Sequence, residues 1–129
     1  MKVVLGIGCD RGTPLQTLED AIDSVLDSAN INKQAVLQLA TIDKKSDEQA
    51  ILQLAEKYHW PLTFYSAKQL AEVEVPSPSA VVLKYMGTPS VSEAAAILAA
   101  NTDMSHLLVE KFKLRGADGK NATVSVVRK

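Results

Sequence analysis

The sequence has one cysteine, Cys9, and two histidines, His59 and His106. A single cysteine excludes an internal disulfide, and so few soft ligands exclude a structural zinc site built from several thiolates. No metal and no cofactor is expected. Charge of either sign is also scarce in excess: 14 basic residues meet 15 acidic ones, for a net charge of −1. No global field exists to hold nucleic acid or an anionic membrane surface, so neither is an expected partner, and any anion site must be local. Long apolar runs are missing too. The longest, Ala94 to Ala100, is too short to span a bilayer. The apolar start, Met1 to Cys9, is cut short by Asp10 and Arg11, and no small-residue cleavage site follows. A cytoplasmic location is expected.

What is present reads as one folded domain, residues 1–129, with 47% hydrophobic and 22% charged residues. Val3 to Ile7 is a continuous apolar run ending in glycine, the pattern of a strand buried on both faces. Thr13-Pro14 predicts a helix start, and Leu15, Leu18, Ile22, Val25 and Leu26 form its stripe. Val36 to Ile42 predicts a second strand, followed by a helix capped by Ser46 with Gln49 at the capping-box position. Leu62 to Tyr65 predicts a third strand, and Ser66 with Gln69 opens a short helix. Ser79 and Gly87 bracket a further short helix over 80–86. Ser90-Val91-Ser92-Glu93 predicts a capping box before an alanine-rich helix. Leu107 to Arg115 and Ala122 to Arg128 form a hairpin around Asp118-Gly119. Strands alternating with helices predict a three-layer α/β/α sandwich. Its sheet is mixed and mainly parallel, closed by a C-terminal antiparallel hairpin.

Three segments carry candidate chemistry. Gly8, Cys9, Arg11, Gly12 and Thr13 lie in a turn between the first strand and first helix, where free N–H groups and the helix dipole favour an anion. Arg11 stands where a dinucleotide fingerprint needs its third glycine, and no P-loop ending follows. Cys9 reads as a packing residue rather than a nucleophile, since no base is adjacent in sequence. Asp43, Lys45 and Glu48 follow the second strand, at the sheet edge where α/β proteins gather ligands. Gly87, Thr88, Ser90 and Glu93 form a second turn feeding a helix. Lys111, Lys113 and Arg115 make one face of a late strand basic.

These segments occur in an order that resembles a known family. The set is Gly6-x-Gly8-Cys9-x-Arg11-Gly12-Thr13, Thr41-x-Asp43-x-Lys45-x-Asp47-Glu48, Pro76-x-Pro78-Ser79, Gly87-Thr88-x-Ser90-Val91-x-Glu93 and Asn121-Ala122-Thr123-Val124-x-Val126-x-Arg128. It resembles the CbiG C-terminal domain and CobE proteins of cobalamin (vitamin B12) biosynthesis, across the whole chain. Asp10 departs from the basic residue frequent in the family. The resemblance implies action on a corrin-ring intermediate, whose carboxylates surround an apolar macrocycle. Full-length CbiG proteins are cobalt-precorrin-5A hydrolases, opening a δ-lactone and releasing acetaldehyde. Two readings stay open: an enzyme domain or subunit, and a non-catalytic module that binds or carries a corrinoid. The implied partners are the corrin intermediate and a CbiG N-terminal domain or another pathway enzyme. Asp43 or Glu48 is the candidate base, and Gly8, Cys9, Arg11, Gly12, Thr13, Lys45, Gly87, Thr88, Ser90 and Glu93 are candidate substrate contacts.

Overall fold

The computed structural model describes residues 1–129. Five strands form one sheet: β1 (Val3–Cys9), β2 (Val36–Ile42), β3 (Leu62–Tyr65), β4 (Leu107–Arg115) and β5 (Asn121–Arg128). Their order is β3-β2-β1-β5-β4. The first three strands are parallel, and β5 runs antiparallel to both β1 and β4. Only β5 therefore opposes the common direction, which matches the mixed, mainly parallel sheet read from the sequence.

Strand alternation sorts the core into two layers. Val3, Leu5 and Ile7 of β1 pack with Val124 and Val126 of β5 beneath α1 (Leu15–Ser28) and α2 (Gln49–Tyr58). Val4 and Val127 point the other way, with Ala40 and Ile42, against α5 (Ser92–Ala100) and α3 (Ala67–Ala71). α4 (Ala80–Met86) lies between α3 and α5 in sequence and buries no residue. Gly6 explains how closely α5 approaches. A β-carbon on Gly6 would sit 1.7 Å from the Ser92 carbonyl oxygen, so only glycine lets the helix start lie on β1. The glycine that opened the sequence motif thus serves packing. No helix is long and apolar enough to cross a membrane.

Helix starts follow the sequence where capping is local. Ser66 accepts from the Gln69 N–H, while the Gln69 side chain accepts from the Ser66 N–H. Ser79 accepts from the Val82 N–H, and Gly87 ends α4 at φ 77°. Three predicted starts differ. Ser46 caps nothing: residues 43–45 form a 3-10 turn, and α2 begins at Gln49 behind Glu48. Thr13 spends its hydroxyl on the Asp10 carbonyl instead of capping α1. The Ser90–Glu93 capping box does not form. Ser90 Oγ accepts from Ala94 N–H, and α5 starts at Ser92 with Glu93 turned into the protein. Two helices end on left-handed residues that sequence reading passed over, His59 after α2 and Asn101 after α5.

Candidate functional site

The turn after β1 and the turn after β2 meet at the carboxyl edge of the sheet. Arg11 joins them. Its Nη1 donates to Asp47 at 2.7 Å and to Glu48 at 3.0 Å, and its Nη2 donates to the Lys44 carbonyl at 2.8 Å. Asp47 raises the Arg11 pKa, and Arg11 in turn holds the Asp47 carboxyl below its ordinary value. Glu48, nearly buried, uses its second oxygen to accept the Gly12 N–H at 2.8 Å. The chain's own carboxylate therefore occupies the anion position that the glycine turn offers. Thr13 and Asp10 complete the turn from behind. Thr13 Oγ1 donates to the Asp10 carbonyl, and the Asp10 carboxylate accepts from the Asn121 N–H and side-chain amide. Asp10, the residue that departs from the family pattern, thus ties the turn to β5.

Lys45 stands apart from this network. It is 9% exposed, yet its ammonium makes no hydrogen bond and no ion pair. It is near enough to Cys9 to lower that thiol's pKa, although burial dominates and pushes the Cys9 value up to about 11. Burial thus favours the protonated thiol at neutral pH, which is the less nucleophilic form. Asp43, two residues before Lys45, has an exposed side chain without a protein partner. Asp43 and Lys45 share the 3-10 turn after β2, and the Glu48 N–H donates to the Lys45 carbonyl at 3.0 Å, which folds Glu48 back onto that turn as α2 begins.

The second glycine turn comes to the same edge. Lys44 Nζ donates to the Met86 carbonyl at 3.2 Å, so Arg11, Lys44 and the end of α4 form a chain of contacts. Thr88 and Ser90 are buried; the Thr88 hydroxyl donates to the Ser90 carbonyl and accepts from the Ser90 N–H, and Ser90 Oγ accepts from the Ala94 N–H of α5. Both hydroxyls are engaged in shaping the turn. Glu93 is fully buried, with neither carboxylate oxygen hydrogen-bonded. Burial raises its pKa, Lys111 at 3.8 Å partly offsets that, and Glu110 reinforces it. The basic face of β4 thus brings Lys111 towards an internal acid, with the same ammonium donating to the Ser77 carbonyl at 2.7 Å. The sequence carried one signal for this: Glu93 lies in an otherwise apolar helical stretch. Two open cavities, one beside Asn30–Lys33 and one between α1 and the β4–β5 hairpin, contain none of the site residues named above.

This arrangement has close relatives. Residues 3–127 match the family model described as cobalamin synthesis G C-terminus. The chain is 35% identical over 124 residues to a cobalt-precorrin-5A hydrolase of Priestia megaterium, covering 96% of this chain but 31% of that protein. It is 33% identical over 112 residues to protein CobE of a Sinorhizobium species, covering 85% of this chain and 72% of the relative. The crystal structure of CobE, a protein from the cobalamin biosynthetic pathway, superposes with a TM-score of 0.83 at 32% identity, covering 99% of this chain and 90% of the other. The chain belongs to the cobalamin synthesis G C-terminal family.

Proposed function

We propose that the chain serves cobalamin biosynthesis by binding a carboxylate-bearing corrin intermediate at the carboxyl edge of its sheet, in support of δ-lactone opening by a cobalt-precorrin-5A hydrolase. The observation that carries this reading is Lys45, whose side chain packs into the sheet edge while its ammonium makes no hydrogen bond and no ion pair within 4 Å. The ammonium keeps access to solvent on the same edge as Arg11, where an incoming carboxylate takes a charge-assisted hydrogen bond from it. Arg11 adds a second contact. Its Nε–H and one Nη2–H have no protein partner, while Asp47 and Glu48 fix the plane of the guanidinium.

Binding is favoured over catalysis by the chain alone, because no complete acid–base constellation is assembled. Cys9 holds its proton, and both Glu48 oxygens are committed to the loop. One observation favours a catalytic contribution: the Asp43 carboxylate is unpartnered on the same turn as Lys45. There Asp43 takes a proton from the attacking water, and the Lys45 ammonium stabilises the oxyanion of the opening lactone.

The test is a titration with dicyanocobyrinic acid, a corrin whose side chains end in free carboxylates, followed by absorbance. Lys45→Met is expected to weaken binding roughly ten- to a hundredfold, the range for a lost charge-assisted contact. Its melting temperature should stay close to that of the wild type, since methionine keeps the packed stem and the ammonium makes no contact within the fold. Equal affinities for the two proteins sink the assignment of Lys45.

A further inference from the structure

α4 has the composition of a core helix and the surroundings of a surface one. Val81, Val82, Leu83, Tyr85 and Met86 cover more than half of its circumference at helical spacing. Val82 and Met86 are half-buried, whereas Val81, Leu83 and Tyr85 are 66%, 50% and 69% exposed. A seven-residue helix does not hold itself in water; it needs tertiary contacts. Here the ties are mostly polar. Ser79 N–H donates to the Pro89 carbonyl at 2.9 Å and closes the neck of the segment. Lys111 donates to Ser77, and Lys44 to Met86. The apolar flank is left uncovered.

Charge narrows what covers it. Lys84 lies 5.6 Å from the Tyr85 ring centroid on the same flank, and Lys44 sits at the end of the helix. Lys44 also links α4 to the Arg11 turn through its carbonyl. An apolar body with anionic groups at its rim matches this flank.

We propose that the exposed flank of α4, formed by Val81, Tyr85 and Leu83, is an apolar subsite that takes the ring face of a carboxylate-fringed macrocycle, with Lys44 and Lys84 receiving its rim. The inference rests on the corrin-binding reading above and adds to it a surface which that reading does not use.

The experiment titrates dicyanocobyrinic acid into wild type, Lys45→Met and the double variant Val81→Ser with Tyr85→Ser, with sedimentation and thermal melting of each protein alone. Both substituted residues of the double variant are exposed, so an unchanged melting temperature is expected. Binding at least tenfold weaker than wild type in the double variant supports the subsite. Wild-type affinity in the double variant, with Lys45→Met weakened, overturns the subsite and leaves the binding reading intact. No binding by the wild type overturns that reading and the subsite with it. A wild-type dimer that the double variant dissolves assigns the flank to a second copy and overturns the subsite. If the double variant melts early, Tyr85→Ser alone replaces it. That change removes the exposed ring without adding charge, and retained wild-type affinity for the corrin overturns the subsite equally.

Discussion

At the residue scale, the same residue type does different work according to what faces it. Gly6 and Gly12 share one sequence motif. Gly12 adopts φ 77° and gives its N–H to Glu48, whereas Gly6 is an ordinary strand residue whose missing side chain admits the Ser92 carbonyl. Gly6→Ala drives a β-carbon into backbone, because a carbonyl at the start of α5 cannot swing aside as a flexible side chain would. Overpacking of a core commonly costs about 1–3 kcal/mol, and this position belongs at or above the upper end. Denaturant unfolding of Gly6→Ala should show a loss of about 3 kcal/mol. A loss near zero would mean that α5 rides further from the sheet than described. The lysines divide in the same way: Lys44 and Lys111 brace the α4 segment, while Lys45 keeps its charge unspent.

At the scale of elements, the sequence was legible wherever a contact closes within one turn of chain. The Ser66–Gln69 box, the Ser79 cap and the Gly87 stop all form, since each partner lies within a few residues. The strands were legible from runs such as Val3 to Ile7 and from the Asp118-Gly119 turn between β4 and β5. Reading failed where a distant group outbids the local one. Glu48 belongs to the Gly12 N–H and Arg11, 36 and 37 residues away, so α2 starts without a side-chain cap. Glu93 lies beneath β4 instead of reaching back to Ser90. Strand order, too, depends on long-range pairing, and no local pattern encodes it. The α5–β4 contact has a pH signature. The raised pKa of Glu93 means that the folded state keeps this proton while the unfolded chain has released it. The contribution to stability is complete below the ordinary glutamate pKa and is lost as pH rises through the folded value. Glu93→Gln holds a neutral side chain throughout. Thermal melts should therefore show little difference between the two proteins near pH 4 and a higher melting temperature for the variant near pH 8. A variant that melts lower at pH 8 indicates that the ionised pair with Lys111 stabilises the fold.

Over the whole molecule, stability and candidate function occupy different places. The centre of the sheet is β1, paired on both sides and packed by apolar residues on both faces. The α4 segment is at the other extreme, with no buried residue and a few polar tethers. Amide exchange follows local opening free energy, so elements with little buried apolar contact exchange long before the core. Backbone amides of β1 and β5 should exchange only through global unfolding. Those of Val82 to Met86 should exchange many-fold faster, through opening of α4 alone. Adding dicyanocobyrinic acid should slow exchange over 80–86 and at the turns around Arg11 and Lys45, because local opening there breaks contacts with the ligand. β1 should slow too, by the factor that binding adds to global stability, since its amides exchange only when the whole fold and the ligand come apart. Exchange monitored by mass spectrometry reads both halves of this expectation. Slowing confined to the Lys45 turn would place the ligand on the sheet edge without α4. Slower exchange in β1 and β5 with 80–86 unchanged would mean that α4 opens without releasing the ligand, and so does not touch it.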